Sequence, residues 1–102
     1  ADILLTGRDV DSAEAERIGL VAKVAPADGF PASVASYASR LAAGAPVAQA
    51  LTKRLLVHAL DQPLEAQLRE ELVHIKYCFT TNDVREAMTA VHEKRRPTFG
   101  GN

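Results

Sequence analysis

The chain has 102 residues, 47% of them apolar, with 12 basic against 13 acidic side chains and a formal charge of −1. That size fits one ordinary domain, and the apolar content excludes a disordered chain. The near balance of charge excludes binding to nucleic acid or a membrane surface through bulk positive charge, and a single cysteine excludes a disulfide framework. No apolar run approaches the roughly 20 residues of a membrane span. The chain opens Ala1-Asp2-Ile3 with no initiator Met and no signal-like apolar core, and so reads as a processed or partial chain.

Ile3-Leu4-Leu5, closed by Thr6-Gly7, is a short apolar run that reads as a strand or a helix end. Asp11-Ser12-Ala13-Glu14 supplies capping side chains for a helix, and Gly19 suits its left-handed stop. Leu20 to Ala25 carries enough β-branched residues for a second short strand, ended by Pro26. Residues 1–26 therefore read as strand or turn, helix, strand.

From residue 27 onward the signal is helical throughout. A first helix runs from Pro31 to about Ala43, with Gly44 as its stop, and a second starts at Pro46 and ends before Gln62-Pro63. A third, Leu64 to about Phe79, carries the cleanest apolar stripe: Leu64, Leu68, Leu72, Ile75 and Phe79. A fourth follows Thr80-Thr81-Asn82-Asp83, with Asp83 as expected N-cap and Glu86 three residues on as its capping-box partner. The expected class is mainly α, with short strands near residues 3–5 and 20–25 and then four helices.

Few residues carry chemistry on their own. Glu71-x-x-His74 has the spacing of half a di-iron carboxylate site, but no second Glu-x-x-His exists, so no metal site is expected. Cys78 stands one turn after His74 without the glycine-rich elbow of a nucleophile, and reads as a small buried hydrophobe. His58 and His92 are lone histidines on amphipathic helices. Lys94-Arg95-Arg96 closes the last helix, where cations complement the helix dipole or hold a phosphate.

Taken together, the landmarks resemble a known family. They are Leu4-Leu5-Thr6-Gly7-Arg8, Ala13-Glu14-Ala15, Gly19-Leu20-Val21, Ala45-Pro46, Lys53, Glu70-Glu71 and Phe79-x-Thr81-x-Asp83. The most specific is the ending: Arg85-Glu86-Ala87-Met88-Thr89-Ala90, then Glu93-Lys94-Arg95-Arg96-Pro97-x-Phe99. In order and spacing this is similar to the second half of the crotonase superfamily of enoyl-CoA hydratases and isomerases. Two positions depart from the pattern: Ala87 stands where the family usually has Gly, and Val91 where it often has an aromatic ring.

The resemblance implies the C-terminal end of a crotonase fold, a spiral of ββα units. Residues 1–26 would end the spiral core, and residues 27–102 would form a helical trimerisation region with a basic tail. It implies a cytoplasmic lyase or isomerase of fatty acid metabolism, assembled as a homo-trimer or hexamer. The enzyme would act on acyl-CoA thioesters, most simply by hydrating a 2-enoyl-CoA. Coenzyme A would enter as part of the substrate, with no covalently bound cofactor, no metal, no nucleic acid and no membrane partner. The oxyanion hole and the catalytic acids lie upstream in that family. No catalytic residue is therefore expected here, neither Glu70, Glu71, Glu86 nor Glu93, and the chain alone should be inactive. Lys94, the Lys of the Glu-Lys-Arg motif, is the one residue carried over, as a contact to coenzyme A. A stand-alone helical interaction module, or a family member with another acyl-CoA chemistry, are the competing readings.

Overall fold

The computed structural model describes residues 2–102 and contains six helices among them. They are α1 (Asp2–Thr6), α2 (Ser12–Arg17), α3 (Phe30–Ala42), α4 (Pro46–His58), α5 (Leu64–Cys78) and α6 (Asn82–His92). The chain forms two compact units, one reaching to Tyr37 and one running from Ala38 to Asn102. The four expected helices of residues 27–96 are all present, with starts within two residues of those read from the sequence.

In the first unit, Arg8 ties α1 to α2. Its Nε donates to Asp2 Oδ2 at 2.7 Å, and its two terminal nitrogens donate to both oxygens of Glu14 at 2.7 and 2.8 Å. This pairing, foremost the Arg8 hydrogen bonds, holds the Glu14 carboxyl below its ordinary pKa. Asp11 caps α2 as expected, its Oδ1 accepting from Glu14 N at 2.7 Å. At the other end Gly19 adopts φ +75, and the amides of Gly19 and Leu20 bond back to Glu16 O and Ala15 O. That is a Schellman stop, in which a residue without a Cβ enters the left-handed region at little cost.

Neither expected strand forms. Residues 3–5 lie inside α1, a single helical turn closed by Gly7 N to Ile3 O and by Thr6 Oγ1 to Asp2 O. Residues 20–25 are irregular, and three of their donors are already engaged: Leu20 N and Val21 N bond to Ala15 O, and Val24 N bonds to Glu16 Oε1 at 3.1 Å. A β-branched run has no ladder to join when α2 takes several of its amides and no other described segment forms a strand.

In the second unit α4 and α5 pack together and run antiparallel. Gln67, early in α5, donates to Leu55 O, late in α4, at 3.1 Å. At the other end Ala48 of α4 and Cys78 of α5 line the same groove. The groove between them is lined by Ala48, Leu51, Thr52 and Leu55 of α4 and by Glu71, His74, Ile75 and Cys78 of α5 with its C-cap Phe79, so only the end of the apolar stripe reaches it. Leu64, Leu68 and Leu72 are left at least half exposed. Only Ala15 and Ala90 among the described apolar residues are buried. Burial of apolar area is the main driving force for folding, so the unsatisfied faces are where further stabilisation is available.

The last helix starts one device earlier than expected. Thr81, not Asp83, is the N-cap: its Oγ1 accepts from Val84 N at 3.4 Å and donates to Cys78 O at 2.7 Å. Asp83 sits inside the first turn, 4% exposed, and its carboxylate is committed elsewhere. It accepts the amides of Gly100 at 2.8 Å and Gly101 at 3.1 Å, while Asn82 N donates to Asn102 O at 2.7 Å. The tail thereby folds back over the start of α6, and Phe99 closes an apolar cavity of about 100 Å³ lined by Ala45, Val47, Ala48, Cys78, Val84 and Ala87.

Candidate functional site

The residue singled out by sequence, Lys94, stands at the C-terminal stop of α6. Glu93 is the C-cap, and the amides of Lys94 and Arg95 bond back to Val91 O at 3.2 Å and Ala90 O at 3.0 Å. This repeats the Schellman geometry of Gly19, but the left-handed position is filled by a lysine, with φ 54. Lys94 is the only non-glycine residue with positive φ among those described. An L-residue there costs about 1–2 kcal/mol, because its Cβ crowds the following carbonyl.

The residues on either side of Lys94 are pinned. Arg95 donates through Nη1 and Nη2 to the two oxygens of Glu86 at 2.5 and 2.9 Å, and through Nε to Glu93 Oε2 at 2.6 Å. Glu86 Oε1 also accepts from Thr98 N at 2.9 Å. The Arg95 fork, seconded by the Thr98 amide, pulls the Glu86 carboxyl from its ordinary 4.5 down to about 2. The same pairing raises the Arg95 guanidinium further above its ordinary value. Lys94 is exposed and forms no ion pair with any described residue. The arrangement thus neutralises Arg95 within the protein and leaves the Lys94 ammonium facing water. A point charge on a flexible stem at such a place can meet a phosphate without fixed geometry.

The remaining sequence candidates separate. Glu71 and His74 share the α4–α5 groove, but the His74 Nε2 faces Glu70 Oε1 at 3.7 Å, and no cluster of three or more metal-ligating side chains exists among the described residues. Glu70 is shared with Arg54 at 3.4 Å and with the Gln62 amide at 3.4 Å. The His74 Nδ1 is buried without a hydrogen-bond partner, as is Gln67 Oε1. Cys78 is a half-buried free thiol that lines the groove and the cavity beneath Phe99. His58 and His92 are exposed last residues of α4 and α6. What sequence reasoning missed is the pair Asp83 and Glu86, read there as cap residues. Their partners are backbone amides of a glycine-containing tail, which carry no side-chain signature. The available clue was an acidic pair at i, i+3 followed by Gly100-Gly101.

The family model for enoyl-CoA hydratase/isomerase matches residues 1–102, the whole chain. The chain belongs to the enoyl-CoA hydratase/isomerase family. A probable enoyl-CoA hydratase of Mycobacterium tuberculosis is 37% identical over 98 residues, covering 96% of this chain and 38% of its own length. A probable mitochondrial enoyl-CoA hydratase of Dictyostelium discoideum is 31% identical, with 96% and 35% covered. Among solved structures, an enoyl-CoA hydratase from Bacillus anthracis superposes with a TM-score of 0.90 at 28% identity, over 99% of this chain and 39% of that one. An enoyl-CoA hydratase from Mycobacterium marinum superposes with a TM-score of 0.87 at 27% identity, over 99% and 40%. The family member described here therefore spans about two-fifths of the length of these relatives. Its helices match the C-terminal helical region of the crotonase fold. No described helix is long and apolar enough to cross a membrane.

Proposed function

We propose that this chain is the assembly and coenzyme A-binding segment of a cytoplasmic enzyme that adds water to 2-enoyl-CoA thioesters. The observation that carries the proposal is Lys94: an unpaired cation, held in a conformation that costs stability, at the end of the last helix of a chain matched throughout by the enoyl-CoA hydratase/isomerase family. Strain at an exposed charged residue is expected where function, not stability, selects the side chain. In this reading the Lys94 ammonium contacts a phosphate of the coenzyme A moiety of the substrate. Coenzyme A is needed as part of the thioester, and no covalently held cofactor takes part.

The catalytic acids and the amides that stabilise the enolate oxyanion would lie in the part of the enzyme that precedes these helices. The 102 residues themselves supply binding and assembly. The exposed α5 stripe of Leu64, Leu68 and Leu72 supports the assembly role, since apolar area of that extent is normally covered. A homo-trimer, or a hexamer made from two trimers, is the expected assembly.

The test compares the isolated segment with the complete polypeptide that carries it, following loss of the 2-enoyl-CoA double bond by ultraviolet absorbance. Hydration by the complete polypeptide and none by the segment is expected. Hydration by the isolated segment at a comparable rate overturns the division of labour. Consumption of the thioester without hydration or bond migration points instead to another acyl-CoA chemistry.

A further inference from the structure

The end of α6 poses a specific problem. Glycine would close the same Schellman stop without strain. The backbone bonds of Lys94 N to Val91 O and Arg95 N to Ala90 O form the turn, and side chains brace it further. The groups that hold it are identifiable. Arg95 follows Lys94 directly, and its guanidinium spans both oxygens of Glu86, two turns back on α6, while its Nε reaches Glu93 on the other side of Lys94. Glu86 also accepts the amide of Thr98, so the chain leaving the helix is fixed to the same carboxylate. Lys94 stands between two residues that are tied to each other, and of Glu93, Lys94 and Arg95 only its side chain has no partner among the described residues.

We propose that Glu86, acting through Arg95, is a positioning residue for Lys94: the Glu86–Arg95 fork fixes the left-handed turn that presents the Lys94 ammonium to the anionic nucleotide end of the acyl-CoA. This rests on the reading of Lys94 as a phosphate contact. The fork commits Arg95 to fixing the turn rather than to meeting an anion. A bidentate carboxylate–guanidinium pair is suited to this because it fixes orientation as well as distance, which a lysine at position 95 could not do.

The test uses the complete polypeptide carrying this segment, with 2-enoyl-CoA and the matching 2-enoyl-pantetheine thioester, which lacks the nucleotide. Lys94→Ala is expected to raise KM for the CoA ester about tenfold, as loss of one charge-assisted contact does, with kcat unchanged and the pantetheine ester unaffected. Glu86→Gln is expected to move the same parameter in the same direction by roughly threefold or more, since misorientation weakens a contact without deleting it. In the double variant the two effects should not add, because Glu86 has nothing left to position. Arg95→Lys keeps the charge and removes the fork, and should reproduce Glu86→Gln; it serves where Glu86→Gln does not fold. If Lys94→Ala raises KM and both fork variants leave it unchanged, or if the effects add, the positioning role is overturned while the Lys94 contact stands. If Lys94→Ala itself changes nothing, the contact on which the inference rests is overturned. Equal losses on the two thioesters would show a general structural effect and also overturn it.

Discussion

Asp83 grips Gly101 with both carboxylate oxygens, at 3.2 and 3.1 Å from its amide nitrogen, across eighteen residues of chain. With the Gly100 amide at 2.8 Å on the same carboxylate, a buried charge is satisfied entirely by backbone N–H groups. Burying a carboxylate is costly unless it is hydrogen-bonded. The tail is thus as necessary to Asp83 as Asp83 is to the tail. Asp83→Ala is expected to release residues 98–102 and destabilise the fold by about 1.5–3 kcal/mol, the usual worth of hydrogen bonds to a charged group. Amide hydrogen exchange at Gly100 and Gly101 is the direct measurement. Unchanged protection there would show that the tail is held by other contacts.

Glu86 makes the tail sensitive to acid in a defined window. Its carboxyl is lowered from 4.5 to about 2 by the Arg95 fork first and the Thr98 amide second. Because the folded value lies below the free one, the linked stability is fully present above about pH 4.5 and is lost as pH falls toward 2. The Thr98 amide resonance should therefore titrate with a midpoint near 2. A midpoint at the ordinary carboxylate value would mean that the fork does not persist in solution.

Phe99 is the apolar counterpart of these polar grips. It is half-buried over Ala45, Val47, Ala48, Val84 and Ala87. Truncation to Ala would open the existing cavity to water and remove the ring's contacts. A cost of about 1–3 kcal/mol is expected, below the 3–5 kcal/mol typical of a fully buried phenylalanine. The midpoint of chemical denaturation measures it. The slope of that transition should stay constant if the unfolded chain is unaffected.

Much of this fold was legible in the sequence where local chemistry decides it. Pro46 at the first turn of α4, Asp11 as cap of α2 and Gly19 as its stop all act as their residue types predict. The failures have a common cause. Leu20 to Ala25 has strand propensity, but its amides are claimed by Ala15 and Glu16, a tertiary outcome that propensity does not contain. Asp83 has the type and spacing of a cap, yet it is used by a tail seventeen residues downstream. The α5 stripe was legible as a stripe, but not that only its end, Ile75 and Phe79, would line the groove against α4 beside Glu71, His74 and Cys78. Lys94 was singled out from the Lys94-Arg95-Arg96 run by resemblance, and its role in binding is a proposal. Its left-handed backbone is invisible in sequence, because a lysine at that position carries no glycine signal.

That backbone yields a prediction in which stability and function separate. Lys94→Gly removes the Cβ crowding at φ 54 and should stabilise the fold by about 1 kcal/mol. It also deletes the ammonium, so affinity for a CoA thioester should fall. Thermal unfolding and KM, measured on the same variant, should move in opposite senses. Lower thermal stability in Lys94→Gly would mean that the lysine stem packs in the fold and that its conformation is not strained.

The exposed apolar faces allow a last prediction about the isolated 102 residues. Leu64, Leu68 and Leu72 line one side of α5, and Met88 and Val91 stand exposed on α6. The groove between α4 and α5 takes Ile75 of the stripe but none of these leucines. Their area remains free to be covered. The isolated segment should self-associate as concentration rises, and Leu68→Lys with Leu72→Lys should suppress this while leaving helicity by circular dichroism intact. Sedimentation of the unsubstituted segment as a single monomeric species at high concentration would show that the stripe does not drive assembly by itself.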